Sequence, residues 1–153
     1  MEYKELDIDS SIKPVYHSVV RNTPLHLKES SRNYNKKLLA MDIIGVQTEP
    51  TEWNSIGFFT SKRGSSKCRF VIDYTSLNES IIRPQWPFLS SNRAMKLLPG
   101  RAGYFIALDL KNGYFQVTLP EASRKYTTFL TEEGRYYMKR FPQGLSSSSD
   151  MFK

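Results

Sequence analysis

Apolar and polar residues alternate along this chain in patterns that change period several times. Leu27, Tyr34, Leu38 and Met41 recur at near-helical spacing and make one apolar stripe. Pro24 suits the first turn of that helix, with Asn22 or Thr23 as its cap. The opposite face carries Lys28, Glu29, Arg32, Lys36 and Lys37, which reads as a solvated face or as a phosphate contact. Past Ile43-Ile44-Gly45 the period shortens. Ile56–Ser61 is strand-like, Lys62-Arg63-Gly64-Ser65-Ser66 is a turn, and Lys67–Tyr74 alternates. Cys68, Phe70, Ile72 and Tyr74 share one side of that strand; Lys67, Arg69, Val71 and Asp73 share the other. The pattern predicts a β-hairpin with a basic tip, which either guards a sheet edge or clamps a phosphate. Residues 78–92, with Pro84, Trp86 and Pro87, read as a connection. Arg93–Leu98 reads as a short helix stopped by Pro99-Gly100, and Pro120–Arg124 as one helical turn. A second hairpin is predicted from Tyr126–Thr131 and Arg135–Phe141 around Glu132-Glu133-Gly134. The run Ser146–Ser149 reads as the opening of a further helix.

The densest apolar run is Tyr104-Phe105-Ile106-Ala107-Leu108-Asp109-Leu110, followed by Lys111-Asn112-Gly113-Tyr114-Phe115-Gln116. It predicts a buried strand with Phe105, Ala107 and Asp109 on one face and Ile106, Leu108 and Leu110 on the other. A carboxylate at the end of such a strand, just before a glycine turn, reaches a cleft without being buried unpaired. Asp109 is therefore a strand-ending turn residue or a metal-binding carboxylate, and this stretch alone does not choose between them.

Composition narrows the field. The length of 153 residues suits a single domain with its own core. Twenty-two basic against fifteen acidic residues leave a net charge of +7, a weak pointer to a polyanionic partner. Cys68 is the single cysteine, so no disulfide framework forms within the chain. His17 and His26 are too few and too far apart for a metal cluster. No run approaches the ~18 apolar residues of a membrane span, and the first residues lack the apolar core of a signal peptide. An intracellular, cytoplasmic or nuclear protein is expected.

From about Lys13 to Phe152, these pieces resemble the reverse transcriptases of LTR retrotransposons and retroviruses, most closely the gypsy-like class. Arg69-Phe70-Val71-Ile72-Asp73-Tyr74 with Leu77-Asn78 resembles the fingers motif. Tyr104–Leu110 with Gly113-Tyr114 resembles the palm strand that bears the first catalytic aspartate. Arg124-Lys125-Tyr126-Thr127-Thr128-Phe129, Gly134-Arg135-Tyr136 and Phe141-Pro142-Gln143-Gly144-Leu145 follow in family order. Each piece is weak alone; together, in order, they are specific. The resemblance implies an α+β fold: an antiparallel palm sheet with flanking helices and a fingers β-hairpin. It implies an extended arm over residues 1–23, then fingers and the first part of the palm over residues 24–153.

The resemblance also implies roles. Asp109 is the first metal ligand and catalytic carboxylate. Lys62 and Arg69 contact the incoming deoxynucleoside triphosphate. Tyr114 packs under the sugar and excludes a 2′-hydroxyl, with Gly113 letting the backbone turn close beneath it. Gln143 lines the nucleotide site. Asp73 supports the hairpin or lies near the template. Nucleotidyl transfer in this family uses Mg²⁺, or Mn²⁺, as paired ions that activate the primer oxygen and stabilise the leaving oxygen. The implied partners are an RNA or DNA template–primer and deoxynucleoside triphosphates, with no membrane.

Two departures qualify the match. The family's second motif, Tyr-x-Asp-Asp, carries the remaining carboxylates and lies downstream of Lys153; Asp150 matches no ligand. Ser149 stands where the family usually has proline. The expected function is the fingers–palm part of an RNA-directed DNA polymerase, inactive by itself. The alternative is a non-catalytic module, retained from such an enzyme, that binds nucleic acid or a protein partner.

Overall fold

In the computed structural model, residues 5–61, 68–83, 90–98, 104, 106 and 108–148 are described. Five strands form one sheet: β1 (Ile44–Val46), β2 (Ser55–Ser61), β3 (Cys68–Asp73), β4 (Phe129–Thr131) and β5 (Gly134–Met138). Their order across the sheet is β1-β5-β4-β2-β3. Strand pairs stand where both hairpins are predicted, the second shorter than expected: Tyr126 and Thr127 lie in a 3-10 turn (Lys125–Thr127) before β4, and residues 139–141 lie beyond β5. β2 and β3 pair antiparallel over six positions, from Ile56 opposite Asp73 to Ser61 opposite Cys68. β4 and β5 pair antiparallel through Phe129 opposite Tyr136 and Thr131 opposite Gly134. Gly134 has φ of +142°, a backbone conformation that glycine adopts without a Cβ penalty and that closes this turn. The hairpins join through a parallel pair, Ser55 opposite Phe129 and Ile56 opposite Leu130, so the sheet is mixed and not wholly antiparallel. Gly57 permits that close join: a Cβ there would come within 2.9 Å of the Phe129 ring and 3.0 Å of the Thr131 methyl.

Alternation along β3 sets which side chains enter the core. Ile72 and Tyr74 are buried, Phe70 is partly buried, and Arg69 and Asp73 are exposed. Aromatic rings then link the layers. Phe59 and Phe70 lie 4.9 Å apart, Phe70 and Phe129 5.6 Å, and Phe129 and Tyr136 5.9 Å, all within the range of attractive ring packing. Tyr34 adds the helix to this chain of rings, 6.0 Å from Phe59 at an interplanar angle of 82°.

That helix, α1 (Lys28–Ala40), is entered through a 3-10 turn at Leu25–Leu27. Leu27 and Leu38 of the predicted stripe are buried, whereas Met41 is 52% exposed because the helix ends before it. The expected cap is replaced: neither Asn22 nor Thr23 caps the helix by side chain, and the Thr23 amide donates instead to Glu132 at 3.2 Å. Glu132 also accepts from Lys28 at 2.6 Å, and Glu133 accepts from Ser31 at 3.0 Å and from Asn35 at 3.2 Å. α1 thus holds the β4–β5 turn by three polar contacts, and Thr23 ahead of it adds a fourth. The Lys28 ammonium and the Thr23 amide keep the Glu132 carboxyl below its ordinary range.

Further short helices are α2 (Thr75–Ser80), α3 (Ser91–Lys96) and α4 (Glu121–Arg124). α3 and α4 fall where helical turns were predicted. α2 matches no predicted element: only its last three residues fall in the connection expected over residues 78–92, and its cause is local. Asp73 Oδ1 accepts from the Thr75 amide at 3.1 Å and the Thr75 hydroxyl at 2.6 Å, while Leu77 and Ser80 are buried. Those two bonds depress the Asp73 carboxyl and give it its role: it ties the first turn of α2 to the end of β3.

The largest departure is Tyr104–Leu110. None of its described residues lies in a strand, and Tyr104, Ile106 and Leu108 are 96%, 87% and 90% exposed. Among the described residues of this segment, the expected buried strand is absent. A strand needs a neighbouring edge for its amides and a layer for its apolar side chains. Among the described residues neither is supplied, because the sheet runs from β1 to β3 without this segment. Phe105, Ala107, the Lys62–Ser66 turn, the Pro84–Pro87 connection, Pro99-Gly100 and the helix expected after Ser149 lie outside the described residues.

Candidate functional site

Arg69 and Gln143, seventy-four positions apart in the sequence, line one cleft of about 180 Å³ together with Val71, Asn112, Phe115 and Gly144. Each wall has a simple origin. Arg69 sits on the solvent face of β3 because the strand's alternation turns Phe70 and Ile72 inward. Gln143 sits at the tip of the loop Phe141–Leu145, whose two ends, Phe141 and Leu145, are buried at 0% and 3% exposure. Gly144, with φ of +95°, lets the chain reverse between them. A guanidinium on one wall and a primary amide on the other present donors to an anion, with the Arg fork suited to phosphate oxygens.

The loop is held by side chains outside it. Ser148 Oγ donates to the Pro142 carbonyl at 2.6 Å. Asn78, on α2, donates from Nδ2 to the Gly144 carbonyl at 2.9 Å and accepts at Oδ1 from the Ser146 amide at 2.7 Å. The Phe141 amide bonds the Val117 carbonyl at 3.0 Å. In the sequence Asn78 stands within a motif without an evident role, and Ser148 within a serine run. Both act through tertiary contacts that no local pattern carries.

The floor of the cleft comes from Lys111–Gln116. Asn112, not Gly113, takes the left-handed conformation, with φ of +52°. Asparagine enters that region more readily than most residues with a side chain. The chain then enters a 3-10 turn, Gly113–Gln116, braced by the Phe115 amide on the Asn112 carbonyl at 2.9 Å and by Gln116 Nε2 on the Lys111 carbonyl at 3.2 Å. Tyr114 is half-buried and packs against the core between Asn112 and Phe115. Neither Tyr114 nor Asp109 lines the cleft itself, and Asp109 is exposed. Lys62 lies outside the described residues.

A second cleft of about 480 Å³ adjoins the first and shares Tyr34, Leu38, Asn112 and Phe115 with it. Among the described residues its lining carries Lys37, Lys111 and Arg140 and no carboxylate, so the pair of clefts forms a basic concavity. Lys37 belongs to the charged face of α1. A larger cleft, of about 650 Å³, lies between Ile8–Pro14 and Pro50–Trp53 and holds none of the candidate residues.

The donor set falls short of a metal centre. Among the described residues no three His, Cys, Asp or Glu side chains gather where they could hold an ion. Asp109 would contribute one carboxylate, and paired Mg²⁺ ions need more than one protein carboxylate between them.

The family model for "Reverse transcriptase (RNA-dependent DNA polymerase)" matches residues 60–153. The retrovirus-related Pol polyprotein from transposon gypsy of Drosophila melanogaster is 34% identical over 146 residues, covering 92% of this chain and 14% of that protein. The corresponding polyprotein from transposon 297 of the same fly is 30% identical over 169 residues, covering all of this chain and 16% of that protein. The chain therefore spans about a seventh of the length of the curated relatives it matches. Among solved structures, the prototype foamy virus protease–reverse transcriptase (CSH mutant) superposes with a TM-score of 0.79 at 22% identity, over 97% of this chain and 19% of that one. The foamy viral protease–reverse transcriptase in complex with dsDNA superposes at 0.76 and 20% identity, over 99% of this chain and 28% of that one. These likenesses establish the fold. With the profile match over more than half its length and the shared α+β architecture, the chain belongs to the reverse transcriptase family and corresponds to the fingers–palm region of LTR-retroelement Pol proteins.

Proposed function

We propose that this chain is the nucleotide-selecting part of an RNA-directed DNA polymerase, and that the cleft between Arg69 and Gln143 receives the incoming deoxynucleoside triphosphate. The observation that carries this reading is the convergence of those two side chains, from β3 and from the Phe141–Leu145 loop, on one cleft. Arg69 neutralises phosphate charge, Gln143 supplies an orienting amide, and Tyr114, beside the cleft floor, tests the sugar's 2′ position by size. Lys62 would add a second cation from the hairpin tip. The adjoining basic cleft fits the phosphodiester backbone of a template–primer, by charge and without base reading. The foamy viral relative bound to dsDNA supports that partner class.

In the family, Mg²⁺ supplies the charge that stabilises the reacting oxygens. Asp109 is its candidate ligand here, but one carboxylate does not make a two-metal site, so this chain alone is expected to bind and not to extend a primer.

One preparation tests both halves. A labelled RNA–DNA duplex should give an anisotropy increase that collapses as salt rises. Mg²⁺–dTTP should bind the wild type, and Arg69→Ala should weaken it roughly tenfold or more, the value of a charge-assisted hydrogen bond. Primer extension should give no product above an Asp109→Asn control. Nucleotide affinity indifferent to Arg69 would remove the cleft from the mechanism. Extension that depends on Asp109 would mean that other groups complete the metal site.

A further inference from the structure

The two walls of the cleft belong to different parts of the chain, and one side chain spans them. Arg69 lies on β3, which runs directly into α2, tied by Asp73 and Thr75. Asn78 projects from α2 to the opposite wall. Its Nδ2 reaches the Gly144 carbonyl at 2.9 Å and its Oδ1 receives the Ser146 amide at 2.7 Å. Those backbone groups flank Leu145, which is buried, and stand one and three residues beyond Gln143. A primary amide is the smallest side chain that offers a donor and an acceptor at this spacing. The partners fix its orientation, since a carbonyl accepts only and an N–H donates only. Aspartate would keep the bond to Ser146 and set a negative oxygen against the Gly144 carbonyl. Alanine would lose both bonds.

Gly144 makes the arrangement necessary. With φ of +95° it allows the reversal that exposes Gln143, and glycine has the most conformational freedom to lose. Among the described residues its carbonyl is held by the Asn78 amide. The buried ends Phe141 and Leu145 and the Ser148–Pro142 bond fix the base of the loop, and Asn78 acts at its tip.

We propose that Asn78 is a positioning residue of the nucleotide cleft: by bridging Gly144 and Ser146 it locks the Gln143 loop to the β3–α2 unit that carries Arg69. It touches no substrate. It sets the separation of two groups that do, and this inference rests on the reading of the cleft as a nucleotide site.

The test uses the whole chain as wild type, Asn78→Ala and Asn78→Asp. Amide hydrogen exchange reads the lock, and titration with Mg²⁺–dTTP reads the site. In Asn78→Ala, exchange at the Ser146 amide should speed up about tenfold, as for a lost hydrogen bond, while β5 amides keep wild-type protection. Nucleotide affinity should fall by about threefold to tenfold. Asn78→Asp should keep protection at Ser146 and still lose nucleotide affinity, because the Gly144 side is released. A merely structural residue would give a different result: a lowered Tm with faster exchange across β4 and β5. Unchanged exchange at Ser146 overturns the lock. Faster exchange with unaltered nucleotide affinity overturns the positioning role and leaves the cleft reading intact. Absence of nucleotide binding by the wild type overturns the cleft reading and the positioning role together.

Discussion

Cys68–Tyr74 and Tyr104–Leu110 are comparable in length and apolar character, and both read as strands. One became β3; the other has Ile106 at 87% and Leu108 at 90% exposure. The difference does not lie in either segment. β3 is paired along its whole length by β2, six positions in register, and its inward face meets Tyr34, Phe59 and Phe129. Tyr104–Leu110 meets no edge and no layer among the described residues. Hydrophobic pattern states that a side chain gains by burial; it does not say which neighbour provides the burial. A hairpin carries its own neighbour a few residues away, so its pattern suffices. A strand whose neighbours are remote needs them present.

Substitutions on either side sharpen the contrast. The largest effect is expected in the ringed core. Phe129 is fully buried between Phe70 and Tyr136, so Phe129→Ala should cost about 3–5 kcal/mol in urea unfolding. A loss below about 1 kcal/mol would mean that the sheet is not the stable half.

Acid should act next, and on the same half. The Asp73 carboxyl is lowered by its bonds to Thr75, that of Asp42 by Lys139 at 2.6 Å, and that of Glu132 by Lys28. A carboxyl with a folded pKa below its unfolded one stabilises the fold above the unfolded value. That contribution disappears as pH falls through the folded one. The urea midpoint should therefore hold from pH 7 to about pH 5 and drop below the ordinary carboxyl values of 3.8 and 4.5. A midpoint that rises on acidification would contradict the three pairings.

The smallest effect is expected at Leu108. Leu108→Ser should change stability by no more than about 0.5 kcal/mol, because that side chain is 90% exposed, and should reduce self-association on concentration. A loss like that of Phe129→Ala would show that Leu108 is buried in solution.

The same distinction between local and remote causes explains what could be read in advance. The β2–β3 and β4–β5 hairpins, the facing of Phe70 and Ile72, and the Gly134 turn follow from period and turn chemistry within a dozen residues. α2 is not legible in the sequence because Thr75–Ser80 is mostly polar; the Asp73–Thr75 bonds and buried Leu77 make it a helix. Arg69 and Gln143 were named through the family resemblance, and they do line one cleft. Asn78 and Ser148 went unassigned because their partners, Gly144, Ser146 and Pro142, are reached only in the folded chain. The close turn expected at Gly113 is made with Asn112, one position earlier, in the left-handed region.

The grip of α1 on Glu132 and Glu133 has a meaning in time as well as in space. Lys28, Ser31 and Asn35 find their partners 104, 102 and 98 residues later, and Ile44 pairs with Met138. On a ribosome, the first helix and first strand emerge long before the segment that secures them exists. α1 is short enough to be only marginally helical alone, so it stays uncommitted until the β4–β5 hairpin arrives. Closing contacts of such sequence separation makes folding slow compared with a helical bundle of equal size. The β4–β5 hairpin, synthesised after α1 and β1, is therefore what secures them, and these elements lock in the reverse of their order of synthesis.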